Sequence, residues 1–136
     1  MRTAIARGGA KAHKVDLGVG DLALVADEPV ADGGTDLGPS PTELLCAALA
    51  ACTAMTVGLY ARRKGWPLED TIVHVDRVAA SGEPGAPIPK DEIHRKITFV
   101  GPLDDEQRKR LADIAEKCPV HKILVTANVV RTHVDP

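Results

Sequence analysis

Aromatic residues are almost missing from this chain: Tyr60, Trp66 and Phe99 are the only three among 136 residues. That excludes an RNA-binding sheet that stacks bases on rings, and it leaves the core to Ala, Val, Leu and Ile. Excess positive charge is missing too. With 17 Lys and Arg against 19 Asp and Glu, the net charge is −2. Such a balance offers no basic field to nucleic acid and no polycationic arm to an anionic membrane. There is no internal repeat and no low-complexity tract. Met1-Arg2-Thr3-Ala4-Ile5 lacks a long apolar stretch, so no secretory signal is expected and a reducing cytoplasm is the expected compartment. Cys46, Cys52 and Cys118 are an odd number, too few for a disulfide scaffold. In a reducing compartment such thiols are catalytic, metal-binding or simply core.

What is present describes a folded chain. Hydrophobic residues reach 44 %, well above the range of disordered sequences. The length suits one domain over residues 1–136. The uncharged run from Leu44 to Ala61 is 18 residues long, at the threshold for a membrane span. Its Ala, Thr, Cys and Gly content gives weak lipid affinity, which predicts a buried helix and no membrane partner. Ser40-Pro41-Thr42-Glu43 reads as a capping box with Pro at the first helical position. Arg62-Arg63-Lys64 complements the dipole, and Gly65 then Pro67 stop the helix. Residues 41–64 would form a rod about 36 Å long. A compact chain of this size has a radius of gyration of about 14 Å. A helix that long and apolar around its circumference must be covered on every side. The small-residue ridge Ala47, Ala50, Ala54, Gly58 permits close helix approach, which predicts two such helices lying together in a homodimer with sheets outside.

Around this helix the pattern predicts mostly strands. Val15–Leu17 and Leu22–Ala26 flank a Gly18-Val19-Gly20-Asp21 turn, and residues 33–39 form a loop into the helix. Thr71–Ala80 and Glu92–Val100 alternate as half-buried strands, with Val73 and Val75 on one face, and Ile93, Ile97 and Phe99 on another. Gly82–Pro89 reads as their connection. Asp104–Lys117 is an amphipathic helix, with Leu111, Ile114 and Ala115 inward, and Val125–Val134 a final strand. The class is α+β: a long buried central helix and a second helix packed against antiparallel sheets.

Taken by itself, Cys52 reads as a small core residue on the Ala48-Cys52-Thr56 ridge. Its position in an apolar helix raises a thiol pKa. A nucleophilic role therefore requires a cation or hydrogen-bond donor from outside its own helix. Cys118 precedes Pro119 and can cap a further turn over Pro119–Leu124, where a helix N-terminus favours a thiolate and His121 can return a hydrogen bond. The plainer alternative is a packing Cys at a helix end. Cys118-x-x-His121 with Cys52 is also a partial zinc-type set of three ligands, with no second pair to complete it. Cys46 lies six residues before Cys52, about 120° away around the helix, and is expected in the core.

Two stretches carry a family resemblance: Pro39-Ser40-Pro41-Thr42-Glu43-Leu44-Leu45-Cys46-Ala47-Ala48-Leu49-Ala50-Ala51-Cys52, and Cys118-Pro119-Val120-His121. They resemble the two cysteine motifs of the OsmC/Ohr family, the osmotically induced and organic hydroperoxide resistance proteins. The Asp27-Glu28-Pro29, Gly33-Gly34 and Gly38-Pro39 run is similar to one OsmC-like subgroup. The resemblance implies an OsmC-like fold and an intertwined homodimer with its thiol sites at the subunit interface. It also implies a cysteine-based peroxidase that reduces organic hydroperoxides or hydrogen peroxide, needs no cofactor and is regenerated by an external dithiol. Cys52 would be peroxidatic and Cys118 resolving. In the family's peroxidases an Arg and a Glu activate the first thiol. The usual Glu slot, ten residues before that thiol, holds Thr42 here; Glu43 lies nine before, about 180° around the helix from Cys52. Glu43, Arg7 and His121 are the candidates for activating or supporting the thiol, with Lys11 and Lys14 also in the basic N-terminal region. The alternative function is an OsmC fold that binds a thiol, metal or apolar small molecule without efficient peroxidase activity.

Overall fold

The computed structural model describes residues 1–78, 85 and 91–136. Its contacts divide the chain into two units, Met1–Leu45 and Cys46–Pro136.

In the first unit, Gly20 at φ 60° provides the left-handed step that turns one strand back on the next. Strands β1 (Ala4–Arg7), β2 (Val15–Val19) and β3 (Leu22–Ala26) form an antiparallel sheet in that order. β2 and β3 are the expected hairpin, with Leu17 opposite Leu24. β1 was not foreseen: its four residues carry too little pattern, and pairing with β2, Ala4 opposite Val19 to Arg7 opposite Asp16, makes it a strand. Beyond β3 the chain folds around Asp27, which is buried. Its carboxylate accepts from the Glu28, Thr35 and Leu37 amides at 2.8, 3.3 and 3.2 Å, and from the Thr35 hydroxyl at 2.5 Å. These donors hold its pKa down at about 2. A Cβ on Gly34 or Gly38 would overlap the Glu28 or Val25 carbonyl, so the loop requires glycine at both places.

Helix α1 (Pro41–Lys64) has the predicted bounds. At its start the Glu43 amide donates to Ser40 Oγ at 3.3 Å and the Ser40 amide donates to Glu43 Oε2 at 2.8 Å. At its end Gly65 takes φ 67° and the Trp66 amide reaches back to the Ala61 carbonyl at 3.0 Å.

In the second unit, β4 (Asp70–Val78) and β5 (Glu92–Val100) pair antiparallel, Val73 opposite Ile97 and Val75 opposite Arg95. Ala79, Ala80 and most of the Gly82–Pro89 connection lie outside the described residues. Helix α2 (Asp105–Ala115) is capped by Asp104, whose side chain accepts from the Gln107 amide at 2.7 Å while Gln107 Oε1 accepts from the Asp104 amide at 3.0 Å. The Glu116 and Lys117 included in the expected helix form the turn that follows. Arg108 ties α2 to the end of β5, donating to the Phe99 and Gly101 carbonyls at 2.8 and 2.9 Å. Val57 and Ala61 of α1, Leu103, and Leu111 and Ala115 of α2 make the core, with Tyr60, Trp66, Leu68, Ile97 and Phe99 packed against it.

One two-stranded sheet and one helix cover a single ridge of α1: Leu49, Thr53, Val57 and Ala61 are buried, while Met55 is 73 % exposed. α1 is long and apolar enough to cross a membrane by length and composition alone. Helix α3 (Pro119–Val125) realises the further turn after Cys118. The expected final strand over Val125–Val134 does not form: Val125 closes α3, and Val129, Val130 and Val134 are exposed and without secondary structure. Alternating valines give strand propensity, but a strand needs a ladder partner, and none of the described residues provides one.

Candidate thiol site

The second unit brings the two motif cysteines together. α1 presents Cys52 half-buried, next to fully buried Thr53. Cys118 is also fully buried. It is the N-cap of α3, with extended backbone as the residue before a proline must have. Its amide donates to the Ala115 carbonyl at 3.3 Å and its carbonyl accepts from the Lys122 amide at 3.1 Å, which pins the residue between α2 and α3.

The two thiols are hydrogen-bond partners, Cys52 donating towards Cys118, and their environments push them apart. Burial is the largest influence on Cys52 and raises its pKa; the neighbouring Cys118 raises it further, against smaller opposing effects of the Val120 amide and the Thr56 hydroxyl. Burial opposes ionisation of Cys118 as well. There it is outweighed by the Cys52 thiol, the His121 and Val120 amides and the Thr53 hydroxyl, so its pKa is lowered. No side-chain hydrogen bond of ordinary cap geometry closes α3, so the amides act as nearby dipoles. Within one chain, therefore, the second sulfur is the easier of the two to ionise.

A buried cation completes the site. The Arg95 side chain is 9 % exposed and lies on the inward face of β5 between Ile93 and Ile97. One terminal nitrogen donates to Thr53 Oγ1 at 3.0 Å and the Ala115 carbonyl at 3.3 Å; the other donates to Glu116 Oε1 at 2.8 Å. Glu116 Oε2 in turn meets His121 Nε2 at 3.1 Å. The Thr53 hydroxyl donates to the Leu49 carbonyl at 2.7 Å. An open cleft of about 470 Å³, with Leu49, Ile93, Ile97 and Leu124 on its apolar side, ends on Arg95, Glu116 and His121.

Glu43 is engaged in the cap of α1, and Arg7 is an exposed residue of β1; both belong to the first unit. Cys46 is a free thiol, partly exposed. Arg95, Thr53 and Glu116 were not anticipated from the sequence. A signal existed for the first: a charge inside the alternating apolar face Ile93, Ile97, Phe99 is out of pattern, and a buried charge must be paired. Among the described residues, no group of three or more His, Cys, Asp and Glu side chains gathers as for a metal ion.

The family model described as OsmC-like protein matches residues 33–133, and the chain belongs to that family. Solved structures agree. A protein of Psychrobacter arcticus 273-4, provisionally described as an osmotic stress induced and detoxification response protein, is 28 % identical, with TM-score 0.73 over 90 % of this chain and 88 % of that one. The organic hydroperoxide resistance protein OsmC of Legionella pneumophila gives 24 % identity and TM-score 0.68 over 92 % and 89 % of the two chains. The organic hydroperoxide resistance protein OhrB of Bacillus subtilis gives 22 % and 0.61 over 92 % and 90 %. No curated protein matches the chain.

Proposed function

We propose that this chain is a thiol-dependent hydroperoxide reductase with Cys52 peroxidatic and Cys118 resolving. One observation carries the reading: Cys52 and Cys118, far apart in sequence, are direct partners, and their surroundings shift the two thiols in opposite directions. The names of the Legionella and Bacillus relatives agree with this chemistry.

The partly exposed Cys52 is the sulfur a peroxide can reach, whereas Cys118 is sealed. As Cys52 attacks, its proton passes to the Cys118 thiolate. The sulfur then bonds to the distal peroxide oxygen, the O–O bond breaks, and the alkoxide takes a proton from solvent to leave as alcohol. Cys52 becomes a sulfenic acid. Cys118 displaces its hydroxyl, releasing water and forming the Cys52–Cys118 disulfide. An external dithiol returns two electrons and two protons. In sum, one hydroperoxide and one dithiol give an alcohol, water and an oxidised dithiol. Free thiols and this reductant suit the cytoplasm.

A homodimer belongs to the proposal. Met55 and most of the circumference of α1 are uncovered within one chain, and the Ala47, Ala50, Ala54, Gly58 ridge is free to meet a second copy. Burial there favours a water-soluble pair over a membrane partner.

The test is consumption of cumene hydroperoxide with dithiothreitol as reductant. Wild-type protein is expected to turn over, and Cys52→Ser to lose activity to background. Full turnover by Cys52→Ser, or none by wild type, would exclude the reading.

A further inference from the structure

Arg95 is an expensive residue to place where it stands. A guanidinium on the inward face of a sheet, nine-tenths covered, loses most of its hydration and is tolerated only if its donors are met. Glu116 alone does not account for it. That carboxylate is 62 % exposed, and an ion pair with an exposed partner contributes little. The buried end of the guanidinium points elsewhere, to Thr53 Oγ1 and the Ala115 carbonyl.

Both acceptors lead to Cys118. The Ala115 carbonyl also receives the Cys118 amide, so Arg95 and Cys118 share one acceptor. Thr53 Oγ1 accepts from Arg95, which fixes the lone-pair side of the hydroxyl and leaves its proton two destinations: the Leu49 carbonyl and the Cys118 sulfur. On the outer side, Glu116 holds His121, so the segment carrying Cys118 is fastened two residues before the thiol and three after it. Four elements thus converge on one cysteine through a single arginine.

We propose that Arg95 is a positioning residue of the thiol pair: acting through Thr53 and the Ala115 carbonyl, it holds the Cys118 sulfur in place among the groups that let it ionise before Cys52. Its consequence for turnover rests on the peroxidase reading; the positioning does not. The groups against Cys118 are the Cys52 thiol and Thr53 hydroxyl from α1 and the Val120 and His121 amides of α3; Arg95 from β5 joins them through Thr53 and the Ala115 carbonyl, with Glu116 at the end of α2 between Arg95 and the His121 ring.

The test is the pH titration of the cysteine 13Cβ chemical shifts, followed by NMR on the full chain, which needs no reagent to reach the buried sulfur. Arg95→Met and Thr53→Val are each expected to move the Cys118 midpoint upward by about one pH unit, lowering its thiolate fraction at neutral pH by about tenfold. Combining them should add little, since both break one relay. Arg95→Lys should recover part of the shift. Thr53→Val keeps the shape of the core and carries the test if Arg95→Met does not fold. A Cys118 midpoint that stays at the wild-type value in folded Thr53→Val protein would overturn the proposal, as would a Cys52 midpoint below that of Cys118 in wild type. Hydroperoxide turnover is measured in parallel: its absence from wild type removes the peroxidase reading, while the shifts of the Cys118 midpoint still support Arg95 as the positioning residue.

Discussion

Asp27 in the first unit and Arg95 in the second are both charges withdrawn from water, and the chain satisfies them by different means. Asp27 is served locally: every donor to its carboxylate comes from Glu28, Thr35 or Leu37. Arg95 is served at long range, by Thr53 on α1 and by Ala115 and Glu116 at the end of α2. The local arrangement orders a loop. The distant one ties a sheet to both cysteine-bearing segments, so it can influence chemistry. A buried charge whose partners are sequence neighbours is a structural device; one whose partners converge from separate elements beside reactive groups is a candidate for function.

The contrast can be broken at either end. The larger effect is expected at Asp27. Replacement by Ala removes acceptors for four donors at once and should lower the urea midpoint of the whole transition. Its pH signature has a definite sign. With the folded pKa at about 2 against an ordinary 3.8, the carboxylate contributes its full stability above 3.8, and loses it as pH falls through about 2. Asp27→Asn should therefore flatten the acid limb of a stability–pH curve. An unchanged limb would mean that other carboxylates dominate acid unfolding. The smaller effect is expected at Glu116. Because this partner is largely exposed, Glu116→Gln should cost only about 0.5 kcal/mol in chemical denaturation. It should also release the His121 ring, seen as a change in its NMR chemical shifts at constant pH. A loss several times larger would show that Glu116 and not Thr53 is the main support of Arg95.

The same contrast explains which features the sequence revealed. α1 was legible to the residue because its signals are local: Ser40 and Glu43 close the cap, and Gly65 ends the helix. The Asp104 cap and the alternating faces of β4 and β5 are local in the same sense. The misses needed information from elsewhere in the chain. β1 is a strand because β2 lies beside it. Val125–Val134 has the alternation of a strand and no partner among the described residues. At the site, the cysteines were found by motif, but Arg95 and Thr53 acquire meaning only when β5 is laid against α1. The second unit does hold a buried cation outside α1, Arg95, and its partners are Thr53, Ala115 and Glu116.

The most direct trial is to add one equivalent of cumene hydroperoxide to the reduced protein, quench with an alkylating agent and map the cysteines by mass spectrometry. The account predicts a single Cys52–Cys118 cross-link with Cys46 alkylated. Recovery of Cys52 and Cys118 as separate alkylated thiols, or a cross-link that runs through Cys46, would contradict it.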